Sequence, residues 1–145
     1  MGAVIAKYPD RYPAPPMSFT VNSVVAAMFD RWSRYARDRD RLGDAANLCL
    51  TLLEDSTQVA KKKRAAAARK YTIDLRVLAE TGRLAATKGG QRHGRKGEAV
   101  GEDYTDSEIA WLEAALKKII RRAAEVAHDP NATYPLITMG GLPTL

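Results

Sequence analysis

Residues 104–128 read YTDSEIAWLEAALKKIIRRAAEVAH, and this stretch decides the fold class. Thr105 and Glu108 stand at the spacing of a capping box, in which the Thr hydroxyl accepts the third backbone N–H of a helix and the Glu carboxylate reaches back to the cap N–H. Tyr104 and Ile109 flank that box where a hydrophobic staple would close over the first turn. Ile109, Leu112, Leu116, Ile119, Ile120, Ala123 and Ala127 then recur at steps of three and four, one apolar stripe on a helix. Pro130 disfavours helical conformation at Asp129, so the pattern predicts a helix from 105 to about 128.

A stripe of that length needs a partner surface, and the upstream sequence supplies it. Leu42, Ala45, Ala46, Leu48, Cys49, Leu50, Leu52 and Leu53 cover nearly every face of a second helix, which places it in the middle of a bundle and ends it near Asp55-Ser56. Before it, Val24, Val25, Met28, Phe29, Trp32, Tyr35 and Ala36 share one side of a helix whose other side carries Asp30, Arg31, Arg34 and Arg37, with Asn22 as N-cap. The charged string 38–41 and Gly43 mark the turn between the two. Residues 59–70, rich in Ala, Lys and Arg, have the composition of a strong helix former and too much charge to be buried. Thr72-Ile73-Asp74-Leu75 opens a shorter helix through Val77, Leu78 and Ala79, which Gly82 is placed to close in the left-handed conformation. Residues 88–101, with five glycines, read as a loop.

Four of the seven prolines fall in residues 1–20, which show no helical period and read as an extended arm, and residues 131–145 read as an extended tail. The expectation is an all-α protein: a single compact bundle of four or five helices over 21–130, its basic helix and glycine loop at 60–101, between arm and tail. At 145 residues the chain is long enough to bury about two thirds of its unfolded surface in one core.

Composition narrows the chemistry. One cysteine, Cys49, excludes an internal disulfide and a Cys-based metal site, and with only His93 and His128 beside it no metal or cofactor is expected. The phosphate-loop, dinucleotide-binding, zinc-protease and nucleophile-elbow motifs are absent. No apolar run approaches the ~18 residues of a membrane span, and residues 1–20 lack a secretory apolar core, so no membrane partner and a reduced cytoplasm are expected. Charge is uneven: Lys/Arg against Asp/Glu runs seven to seven in 1–56, twelve to three in 57–100 and four to seven in 101–145. A field gathered in one segment attracts polyanions.

Three functional patterns emerge. Arg121 precedes His128 by seven positions, which puts both on one face of the last helix about two turns apart. There an Arg can hold a phosphate while a His moves a proton, the requirement of metal-free RNA cleavage at a 2′-hydroxyl. This arrangement resembles the signature of the HEPN superfamily of helical domains, in which four to six residues separate Arg from His and a polar residue, here Arg122, follows the Arg. The resemblance implies a metal-independent RNase with Arg121 and His128 catalytic, Arg122 supporting, and a homodimer uniting two such motifs. On purely local grounds the same cations complement the helix dipole, and Arg121 pairs with Glu125.

The second pattern, Ala68 through Asp74 followed by Val77-Leu78, resembles the turn region of a helix-turn-helix, with Thr72 where glycine is usual. Arg76, Glu80 and Arg83 would face the groove of DNA. The third needs neither motif: Lys61, Lys62, Lys63, Arg64, Arg69, Lys70, Arg92, Arg95 and Lys96 form a basic set able to bind RNA or DNA phosphates by counterion release. Tyr71 is its only aromatic residue, so stacking on single strands is not indicated. A structural or interaction protein without a polyanion ligand is the remaining class, and Trp32, Trp111 and Cys49 read as core.

Overall fold

A computed structural model describes residues 22–87 and 104–145. The expected arm at 1–20 and the glycine loop at 88–101 lie outside the described residues. Among the described residues five α-helices follow in order: α1 Ser23–Ala36, α2 Leu42–Asp55, α3 Lys63–Tyr71, α4 Leu75–Thr87 and α5 Asp106–His128. No strand occurs among the described residues, apart from one parallel bridge between Ile73 and Ile137. The chain is an all-α compact bundle, and no described helix is long and apolar enough to cross a membrane.

Local capping chemistry starts two of the helices. The Asn22 side chain accepts the Val25 N–H at 2.9 Å and begins α1. Thr105 Oγ1 accepts the Glu108 N–H at 3.1 Å while Glu108 Oε1 accepts the Thr105 N–H at 2.9 Å, closing the capping box of α5. Tyr104 and Ile109 both pack on the core, and the Tyr104 hydroxyl donates to the Leu84 carbonyl, tying the start of α5 to the end of α4.

The apolar stripes then assemble around α2, which packs against each of the other four helices. Met28 and Trp32 of α1, Leu53 of α2, Leu78 and Leu84 of α4, and Trp111, Leu112, Leu116, Ile119 and Ile120 of α5 are buried together. Cys49 lies inside this core, and burial pushes its thiol pKa up to about 12.

Two expectations are corrected. The helix expected over 59–70 begins only at Lys63, because the chain reverses after α2 through left-handed residues at Gln58 (φ 59°) and Lys62 (φ 55°). Ser56 and Thr57 stop α2 there by donating their hydroxyls back to the carbonyls of Leu53 and Glu54. Gly82 does not close α4; the helix runs on to Thr87 and buries Leu84 and Ala85. What the glycine provides is clearance, since a Cβ at Gly82 would meet both terminal nitrogens of Arg64 at 2.9 Å. Arg64 in turn pairs with Glu54 at 2.7 Å and so links α2, α3 and α4.

The tail crosses the bundle as an extended segment. Ile137 donates its N–H to the Thr72 carbonyl and accepts the Asp74 N–H, a 3-10 turn follows at Met139–Gly141, and Leu142 is buried. Tyr134 holds the start of this path by donating its hydroxyl toward the Glu125 and Asp129 carbonyls.

Candidate nucleic-acid interface

The α3–α4 corner is built from its apolar residues outward. Ala67 and Tyr71 on α3, Ile73 in the turn, and Val77, Leu78 and Thr81 on α4 are buried, so both helices press the same side onto α2 and α5. The reversal is made in three residues, with Thr72 in the left-handed region at φ 53° and ψ 56°. A β-branched residue is costly there, roughly 1–2 kcal/mol, so the surrounding contacts must impose the turn. One contact is a hydroxyl relay. The Ser56 hydroxyl proton is committed to the Leu53 carbonyl, so Tyr71 donates to Ser56 Oγ at 2.6 Å and ties the end of α3 to the end of α2.

The other contact is Arg122, which is 5 % exposed. Its Nη1 donates to the carbonyls of Tyr71 (2.8 Å) and Thr72 (2.9 Å), and its Nη2 to that of Pro135 (2.7 Å). Its Nε donates to Glu125 at 3.2 Å, and its guanidinium lies 5.3 Å from the centre of the Tyr134 ring. One buried cation therefore satisfies the carbonyls at the corner and grips the tail. Arg122, to which the HEPN resemblance gives a supporting role, has four of its five N–H donors engaged inside the molecule. A trace was present in the sequence, since Arg122 falls on the flank of the apolar stripe whereas Arg121 lies opposite it.

With the inner side of α4 buried, Arg76, Ala79 and Arg83 are exposed and Glu80 half-buried, at i, i+3, i+4 and i+7 along one stripe. Met139 of the tail borders this stripe and completes a shallow depression with it. Asp74 begins α4 by accepting the Arg76 N–H at 2.8 Å, and it also pairs with the Arg76 guanidinium at 2.8 Å. These bonds hold the Asp74 carboxyl below its ordinary pKa and raise that of Arg76. Arg83 pairs with Glu80, which raises its pKa in the same way. Both Arg side chains are more than half exposed, so neither pair is costly to exchange for a ligand.

The basic set divides. Lys61, Lys62 and Arg69 are exposed and have no ion-pair partner among the described residues. Lys63 pairs with Asp55 at 3.1 Å and Arg64 with Glu54, while Lys70 donates to the Ser56 carbonyl at 2.9 Å; these three fasten α3 to the end of α2. Arg92, Arg95 and Lys96 lie outside the described residues.

Arg121 and His128 lie on the outer face of α5, His128 exposed at its last residue and Arg121 half-exposed. Glu125 stands between them and reaches Arg121 at 3.7 Å, the pairing expected on local grounds. A cleft of about 370 Å³ opens between the start of α1, the α2–α3 turn and Ala123, Val126 and Ala127. At 3.6 residues per turn these three occupy the opposite side of α5, so Arg121 and His128 do not line that cleft.

Comparison with known proteins returns no match: no family model, no curated protein and no solved structure is similar to this chain.

Proposed function

We propose that this protein binds duplex DNA without catalysis, presenting α4 of a helix-turn-helix-like corner to the major groove and Lys61 and Lys62 before α3, with Arg69 on it, to the phosphates. The observation that carries the reading is the corner itself. Two helices meet through a three-residue turn whose first residue is left-handed, and the second helix extends 13 residues with Arg76, Ala79, Glu80 and Arg83 outward. Thr72 adopts the conformation that glycine usually supplies, and α4 is long enough to lie in a groove because it continues past Gly82. The two Arg side chains suit the O6 and N7 acceptors of guanine, and Lys61, Lys62 and Arg69 suit the backbone. Buried Cys49 fits a reduced cytoplasm as the working compartment.

Fluorescence anisotropy with a labelled 20-base-pair duplex, titrated in salt, tests the reading. Saturable, salt-sensitive binding that falls at least tenfold in the Arg76→Ala/Arg83→Ala double variant supports it. Binding unaffected by that change, or none at low salt, refutes it.

A second reading, the HEPN-like RNase, rests on Arg121 and His128 sharing one solvent face of α5, where a single RNA strand can touch both. It requires a second copy of the chain to supply the paired motif, and it predicts RNA cleavage in the presence of chelator that His128→Ala abolishes. The DNA reading is preferred because Glu125 competes for Arg121 and Arg122 is committed to the interior.

A further inference from the structure

One side chain, Arg122, reaches both the α3–α4 corner and the start of the tail. Arg122 bonds the Tyr71 and Thr72 carbonyls, which set where α4 begins, and through Nη2 it bonds Pro135, which sets where the tail begins its path. Two residues later Ile137 pairs with Thr72 and Asp74, and Met139 then sits against the stripe formed by Arg76, Ala79, Glu80 and Arg83. Leu142 is buried beyond it, so the segment is pinned on both sides of Met139.

We infer that the surface this protein offers to a nucleic acid is composite, made of α4 and the Met139 turn of the tail, with Arg122 as the positioning residue that holds the two in register. The inference rests on the DNA-binding reading and adds a second element to the recognition surface. A helix with its side chains is about 10–12 Å across and fills a major groove about 12 Å wide. A duplex that receives α4 therefore also meets the tail at the edge of the groove, where the sugar–phosphate backbone runs. Met139 contributes an apolar contact there. Gly141 has its nearest foreign atoms at the Thr138 hydroxyl and Lys118 Nζ, so the turn lies beside a further cation.

The test uses the full-length chain and charge reversal at one position. Met139→Glu and Met139→Lys remove the same thioether packing but place opposite charges on the proposed edge. Anisotropy with the 20-base-pair duplex is expected to show Met139→Glu binding at least fivefold more weakly than wild type and Met139→Lys at least as tightly. Equal affinities for the two variants would overturn the composite surface. For Arg122, amide hydrogen exchange of residues 136–142 is compared in wild type and Arg122→Met, at a temperature where circular dichroism shows both helical. Exchange at least 100-fold faster in the variant, together with loss of the Glu/Lys difference when Arg122→Met is added, is the expected result. Unchanged exchange, or a Glu/Lys difference that survives release of the tail, would overturn the positioning role. Arg122→Lys replaces Arg122→Met in these comparisons if the latter does not fold. Should wild type bind no duplex at any salt concentration, the DNA reading falls, while the exchange comparison still decides whether Arg122 holds the tail.

Discussion

Arg121 and Arg122 are adjacent, identical in chemistry and opposite in expected consequence. In Arg122→Ala four hydrogen bonds vanish, at 2.7, 2.8, 2.9 and 3.2 Å, three of them to carbonyls at the corner and the tail. A hydrogen bond to a charged group contributes roughly 1.5–3 kcal/mol, but the buried guanidinium also lost several kcal/mol of hydration, so the bonds do not sum. Removing one partner from a buried charged set costs about 3–5 kcal/mol, and the lost stacking on Tyr134 adds about 0.5–1. A domain is typically stable by only ~5–15 kcal/mol, so the substitution should remove a large share of it and lower Tm by ~10 °C or more. Arg121→Ala loses a half-exposed pair at 3.7 Å and should cost about 0–1 kcal/mol. Urea unfolding followed by far-ultraviolet circular dichroism measures both. If the two variants differ by less than about 1 kcal/mol, Arg122 does not hold the corner and the tail as described.

Three further outcomes follow from particular residues. Lys61→Ala/Lys62→Ala should lower the slope of log affinity for duplex DNA against log salt by about 2 without changing helicity, since each lost phosphate contact is worth ~0.9; an unchanged slope would remove these lysines from the interface. Asp74 has a folded pKa below its ordinary 3.8 because Arg76 bonds its carboxylate through side chain and backbone. Its stabilising effect is therefore complete above that value and is lost as pH falls through the lower folded one. Asp74→Asn should flatten the acid limb of stability measured between pH 5 and 2, and identical limbs would contradict the assignment. Thr72→Gly should leave stability unchanged or raise it by up to ~1 kcal/mol, because relief of the left-handed strain outweighs the extra freedom of glycine in the unfolded chain; a loss above ~1 kcal/mol in urea unfolding would show that the Thr side chain itself supports the corner.

What the amino-acid sequence determined on its own is local or periodic. Asn22 and the Thr105–Glu108 box act within three residues, so their caps could be read directly, and the largely apolar pattern of α2 placed it against the other four helices, although Leu48 and Leu52 are only half-buried and Thr51 is exposed. The exposure of Lys61, Lys62 and Lys63 followed from charge density alone. The tertiary structure decided what depends on partners far along the chain. Gly82, where α4 was expected to end, gives room to Arg64, 18 positions earlier; Lys63 and Arg64 lose their place in the free basic set to acids on α2; and Thr72 is left-handed although its type disfavours it. Arg122 is the clearest case. Its neighbour Arg121 carries the same side chain, and only the arrival of the Tyr71 and Thr72 carbonyls from one direction and Pro135 from another makes one arginine an internal tie and leaves the other at the surface. A period in sequence can specify which face of a helix is buried, but the docking of distant backbone decides whether a cation at the edge of that face is drawn in, because only there do enough acceptors converge to offset its lost hydration.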